Sequence, residues 1–415
     1  QRHNLPVINV MGPDGSISDK HGWGDATEPE AQNLLGMDRF EAREAIVEWF
    51  RQEGLLEEVR EYTHEVGHSY RSHVPIEPYL SDQWYIAVKK PIEHLAEKFG
   101  QGFIEGTDVP VNSLAGLALK PLLDGKLRFI PQRYARTYQT WLENVRDWPI
   151  SRQLWWGHQI PVWRVILDND PFDESDKMRT ASPEDNFRLQ FEGRLNKVAI
   201  SAGLEKDSFS CRTARVFNEV YVCPLTSKAN DLLKSFKEFV DSLEAKEVDP
   251  GQATPLIQRI PGVDYDLQSN LAHMVDSLER DTDVLDTWFS SALWPFSTLG
   301  WPEESPLFKT FYPGDVLCTA REIITLWVSR MVMMGQYCVG DIPFRDVYIH
   351  AMIQDGLGRK MSKSLGNGID PLVAIDSHGA DAMRFTLASM TTDTQDIRMP
   401  VEEMTLPDGR TVNTS

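Results

Sequence analysis

The stretch that most constrains this chain runs from Tyr312 to Ile353. Tyr312–Thr319 (YPGDVLCT) reads as an apolar strand, Arg321–Tyr337 as a helix, and Val347–Ile353 (VYIHAMI) as a second strand. Strands joined by a helical crossover pair in parallel and cross over right-handedly. The unit predicts a doubly wound α/β sheet, whose ligands sit beyond the C-terminal ends of its strands. The segment that follows the second strand is therefore where chemistry is sought.

That segment is Asp355–Pro371, DGLGRKMSKSLGNGIDP. Lys360 and Lys363 alternate with Ser362 and Ser364, and glycines flank them on both sides. Glycine lets the backbone rearrange around a ligand, and lysine ammonium groups can follow moving phosphate charge. The spacing is neither that of a Walker A loop nor G-x-G-x-x-G. Composition alone also allows a solvated basic surface loop. The string Lys360-Met361-Ser362-Lys363-Ser364, placed after a predicted strand, resembles the KMSKS signature of the class I aminoacyl-tRNA synthetases. The resemblance implies that Lys360 and Lys363 stabilise the pentavalent α-phosphate and the departing pyrophosphate, with Met361, Ser362 and Ser364 in the same ATP-binding loop.

Other stretches narrow the resemblance. Asp147–Trp163 (DWPISRQLWWGHQIPVW) is similar to the valine, isoleucine and leucine branch of that family, and Leu154–His158 (LWWGH) favours valine. Asp283–Pro302, Arg2–Val10, Asp38–Arg43, Ile76–Trp84, Asp381–Leu387 and Thr394–Arg398 also resemble the valine enzymes. On that footing Trp156 and Trp288, and more weakly Val284, line an amino-acid pocket. Indole supplies a rigid apolar wall with little rotamer freedom. Taken singly, each tryptophan reads equally as ordinary core. Ala320-Arg321-Glu322 stands where the family commonly has Gly-x-Asp, whose acid binds the adenosine ribose. Thr319 and Glu322 also have capping-box spacing, so Glu322 has two readings, ribose ligand and helix cap. His350 ends the second strand, either near the adenine or as a structural histidine.

The expected fold class is α/β: part of a class I Rossmann-type parallel sheet, with the tail of a β-rich editing domain and an α-rich insertion. The expected boundaries are 1–78 for the editing tail, 79–166 and 283–400 for the two catalytic parts, 167–282 for a polar, acidic insertion of unknown role, and 401–415 for a tail. No string matches the HIGH motif of the family, and the family's editing aspartates and threonine fall before Gln1. The sequence thus reads as an incomplete, non-editing piece whose anticodon-binding domain lies elsewhere.

A formal charge of −20 argues against a generally basic nucleic-acid surface but leaves room for a local basic groove. The four cysteines form no CxxC pair, and His64, His68 and His73 are too loosely spaced for a persuasive metal site. No apolar run approaches the roughly 20 residues of a membrane span. The implied substrates are valine, ATP with Mg2+ and tRNA(Val), with no tightly bound cofactor or metal, in a cytoplasmic monomer. An isoleucine or leucine enzyme of the same fold and a non-catalytic, RNA-binding paralogue remain as alternatives.

Overall fold

The computed structural model of the chain describes residues 8–20, 23, 28–69, 73–77, 79, 81–167, 183–206, 208–213, 219–248, 260, 263–361, 366–392, 395–399, 402–405 and 411–414. Two compact units divide it, Gln1–Gln83 and Trp84–Ser415.

In Gln1–Gln83 the main element is helix α1 (Arg39–Gln52). Asp38 starts it, its carboxylate accepting from the Phe40 amide at 2.8 Å, one residue earlier than a capping box requires. Phe40, Ile46, Val47 and Phe50 recur at helical spacing as expected, yet all four are exposed, between 37% and 46%. Phe40 is partly covered by arginine instead: the Arg39 and Arg43 guanidinium carbons lie 4.5 and 5.2 Å from its ring centre, and both arginines bond Glu77.

The first part of Trp84–Ser415 includes α2 (Leu114–Leu123), β1 (Arg128–Ile130), α3 (Arg133–Glu143) and the short strand β2 (Ser151–Arg152). α2 is apolar around most of its circumference and accordingly buried. Next come β3 (Trp163–Leu167), α4 (Pro183–Ser201), β4 (Phe209–Thr213), β5 (Glu219–Pro224), α5 (Ser227–Val248), α6 (Tyr265–Ala272) and β6 (Val275–Arg280). These four strands form an antiparallel sheet in the order β4-β5-β3-β6. They share a separate apolar core with the helices, including Val165, Phe191, Leu195, Val222, Phe236 and Phe239. The segment read from its polar texture as α-rich holds the helices α4, α5 and α6, and an antiparallel sheet that the texture did not announce packs with them. Its strands are only five or six residues long, and their apolar alternation (Phe209 and Cys211; Val220 and Val222) is diluted by charged neighbours.

Among the elements that follow are β7 (Val284–Leu285), α7 (Thr287–Ser297), β8 (Gly314–Ala320), α8 (Ser329–Cys338), β9 (Phe344–His350), β10 (Ile353–Asp355), α9 (Pro371–His378), α10 (Ala380–Met390) and β11 (Ile397–Met399). A 3₁₀ turn (Arg321–Ile323) and a π-helical turn (Ile324–Val328) lead into α8. The expected strand–helix–strand unit is present. β8 and β9 run parallel from the pair Gly314–Phe344 to the pair Ala320–His350, and β1 pairs parallel on the far side of β9. Phe129, Leu317, Val347 and Ile349 point from these strands into the main core, which also takes in α2, α7 and α8. The expected α/β class with a parallel sheet is what the chain adopts. Among the described residues no helix is long and apolar enough to cross a membrane.

Candidate active site

Because β8 and β9 end together at Ala320 and His350, the two segments that leave them start side by side on the C-terminal rim. From β8 the chain turns at once through Arg321–Ile323, which presents Glu322. From β9 it runs into β10 and then a tight turn that reaches Lys360. There the Lys360 ammonium donates to Glu322 Oε2 at 2.6 Å. Thr319 is a buried strand residue, and the turn after it has no side-chain cap, so the capping role read for Glu322 does not occur. The two partner side chains are 64% and 41% exposed. An ion pair this wet is worth at most about 1 kcal/mol, so it can be exchanged for a phosphate contact at little cost.

The turn that delivers Lys360 is built on Asp355. Its buried carboxylate accepts from the amides of Leu357 (3.0 Å) and Arg359 (2.8 Å), from Arg359 Nε (2.8 Å) and from Asn367 Nδ2 (3.0 Å). Hydrogen bonds from Asn367 and the Arg359 backbone, outweighing burial, pull its pKa down to about 2. Asn367 also donates to the Lys360 carbonyl at 3.2 Å. Asp355 and Asn367 thus pin both feet of the signature loop. Gly358 takes φ +79°, and a Cβ there would lie 3.2 Å from the Arg398 guanidinium, so the turn requires glycine. Ser362, Lys363 and Ser364 lie outside the described residues; Met361 is described and half-buried. His350 is exposed at the rim, with Nδ1 donating to the Ala351 carbonyl at 2.9 Å.

A second group centres on Val284: Gly157, the chain neighbour of Trp156, lies on it, and Trp288 follows four positions later. β2 pairs with β7, with Arg152 opposite Val284, and the chain from His158 to Ile160 folds along the same strand: Leu285 N donates to His158 O at 2.7 Å and Ile160 N to Asp283 O at 3.0 Å. Val284 is only 3% exposed and packed under Gly157, where a Cβ would come within 2.9 Å of the valine side chain. It therefore faces the loop instead of open space. Trp156 is 82% exposed and Trp155 97%, their rings 6.4 Å apart, so Trp156 is a free indole on the loop and no packed wall. Trp288, in the first turn of α7, is half-buried against the main core.

Sequence reading missed the charge that holds this second group. Asp286, 3% exposed, accepts from Trp148 Nε1 at 3.0 Å and pairs with Arg152 at 3.1 Å and Arg330 at 3.6 Å, while its amide donates to Ile150 O. The Arg330 guanidinium stacks on Trp148 at 4.2 Å, and burial lowers its pKa to about 10 despite Asp286. The turn bearing Glu322 leads into a helical segment that touches α7: Trp327 donates to Ser291 O at 3.1 Å, one turn beyond Trp288, and stacks at a tilt on Trp294.

A parallel sheet whose C-terminal rim carries a lysine turn beside an acid is the arrangement of an α/β fold that holds its ligands beyond the strand ends. The family model described as tRNA synthetases class I (I, L, M and V) matches residues 25–192 and 233–400, and the chain belongs to that family. The match runs further into the 167–282 segment than the local resemblances did, leaving only 193–232 between its two parts. Among curated relatives, the valine–tRNA ligase of Rhodopirellula baltica is 36% identical over 406 residues, covering 97% of this chain and 31% of the relative. That of Thermotoga maritima is 37% identical, covering 96% and 32%. That of Geobacillus stearothermophilus is 36% identical, covering 97% and 32%. The chain thus spans about a third of the length of the curated relatives it matches.

Proposed function

We propose that this chain carries the signature-loop part of a valine-activating aminoacyl-tRNA synthetase, acting as a cytoplasmic monomer. The valine carboxylate attacks the α-phosphorus of Mg-ATP, giving valyl-adenylate and pyrophosphate; the acyl group then passes to the terminal adenosine of tRNA(Val). The observation that carries this reading is the Lys360–Glu322 pair on the rim shared by β8 and β9.

In this reading Glu322 takes the ribose hydroxyls and releases Lys360 toward the phosphates, with Lys363 joining it. Cationic groups that tighten on the breaking phosphoanhydride lower the barrier more than they strengthen ATP binding. His350 lies beside the adenine, and Trp156 closes over the amino acid against Trp288. The curated relatives' shared name supports valine over isoleucine or leucine.

The test is pyrophosphate–ATP exchange by the full-length polypeptide that carries this chain, with valine, isoleucine or leucine added. Valine-dependent exchange is expected. Exchange driven equally by isoleucine or leucine overturns the specificity, and none with any of the three overturns the activity.

A further inference from the structure

One carboxylate outside the signature string joins the two segments that meet in the Lys360–Glu322 pair. Asp396 Oδ2 accepts from Arg321 Nη2 at 2.6 Å and from Gln354 Nε2 at 3.0 Å, while Oδ1 accepts from the Met352 amide at 3.0 Å. Arg321 is the chain neighbour of Glu322, and Gln354 faces Lys360 across an antiparallel bridge. The Asp396 side chain is only 15% exposed and stands at the head of β11, which runs parallel to β10 from the pair Ile353–Ile397. The Arg321 guanidinium also meets Tyr134 of α3, so the anchor reaches back toward the sheet.

We infer that Asp396 is a positioning residue for the phosphate-handling step: it holds the turn bearing Glu322 and the hairpin bearing Lys360 in one fixed relation. This rests on the reading of Lys360 given above. The exposed Lys360–Glu322 pair cannot hold that relation itself, since a pair so solvated contributes little and must open when ATP arrives. The sheltered side-chain and backbone contacts of Asp396 persist through that opening. With them in place, the ammonium group swings from a fixed base onto the phosphates.

Hydrogen–deuterium exchange on the 415-residue chain tests the link without activity. Asp396→Asn should speed amide exchange in both 321–328 and 352–361, whereas Asp381→Asn, on exposed helix surface, should change neither. Faster exchange in only one of the two segments overturns the link. Should Asp396→Asn fail to fold, Arg321→Gln removes only the guanidinium end and must still loosen 352–361; an effect confined to 321–328 overturns the link.

Kinetics of the full-length polypeptide separate positioning from simple scaffolding. Asp396→Asn should lower kcat for valine-dependent pyrophosphate exchange about tenfold, with the KM for valine unchanged, as displaced catalytic groups do. Asp396→Glu should restore part of the loss. An unchanged kcat beside an active wild type overturns the positioning role. A wild type that shows no such exchange refutes the functional reading instead, and the amide data then decide the link alone.

Discussion

Glu322 accepts the ammonium proton of Lys360 at 2.6 Å across the gap between the ends of two parallel strands. The acid proposed to take the ribose and the first signature lysine are therefore partners of each other. Both are well exposed, so Glu322→Gln should shift unfolding free energy by no more than about 1 kcal/mol in a urea titration. The same change should raise the KM for ATP about tenfold, since a hydrogen bond between a charged group and the ribose is lost. A large loss of stability with an unaltered KM assigns Glu322 to the fold alone.

Lys363 lies outside the described residues, and its expected role comes from the signature string. Lys363→Ala should reduce kcat for pyrophosphate exchange on the order of a hundredfold, while the KM for ATP stays within about threefold. That split is the mark of a contact made in the transition state. A proportionate rise in KM with kcat intact points to ground-state ATP binding.

Asp355 makes the loop's base acid-resistant. Its folded pKa, about 2, lies below that of a free aspartate, near 4. The stabilisation it gives is full above that unfolded value and disappears as pH falls through the folded one. The carboxyl carbon of Asp355 should titrate in NMR with a midpoint near pH 2, with the Asn367 side-chain amide moving in step. A midpoint near pH 4 shows that the four-donor cradle is not formed.

Trp156 and Trp288 should respond differently to truncation. Trp156 is 82% exposed, so Trp156→Ala should leave stability within about 0.5 kcal/mol, as surface changes do. If it nonetheless raises the KM for valine severalfold, the free indole is a ligand-covering group. Trp288 packs on the main core, and Trp288→Ala should cost both stability and valine affinity. Unchanged valine kinetics in both variants remove the pair from the pocket.

The parallel unit from Tyr312 to Ile353 was legible because its strands run seven residues and the helical stretch between them carries a long apolar run, and the rim position of Lys360 followed from it. The antiparallel sheet between Trp163 and Arg280 was hidden by short strands among charged neighbours. Asp355, Asn367 and Asp396 were within quoted strings, yet nothing local marks them. Their roles depend on which amides and guanidinium groups the fold carries to them, as with Asp396 and Arg321, 75 positions apart. The apolar stripe of α1 was legible as periodicity but not as burial, because spacing says which residues share a face and not what covers it.

Asp286 gives the last expectation, and it concerns stability. One buried carboxylate faces Arg152, Arg330 and the Trp148 indole, and it stands at the start of the helix bearing Trp288. Asp286→Ala leaves Arg330 over Trp148 with no opposing charge. Breaking one partner out of a buried pair costs roughly 3–5 kcal/mol, far more than the pair contributes over an apolar replacement. Asp286→Ala should lower the unfolding free energy measured in a urea titration by that amount, and adding Arg330→Met should recover part of it by removing the stranded charge. Losses that simply add in the double variant show that the guanidinium and carboxylate are independent.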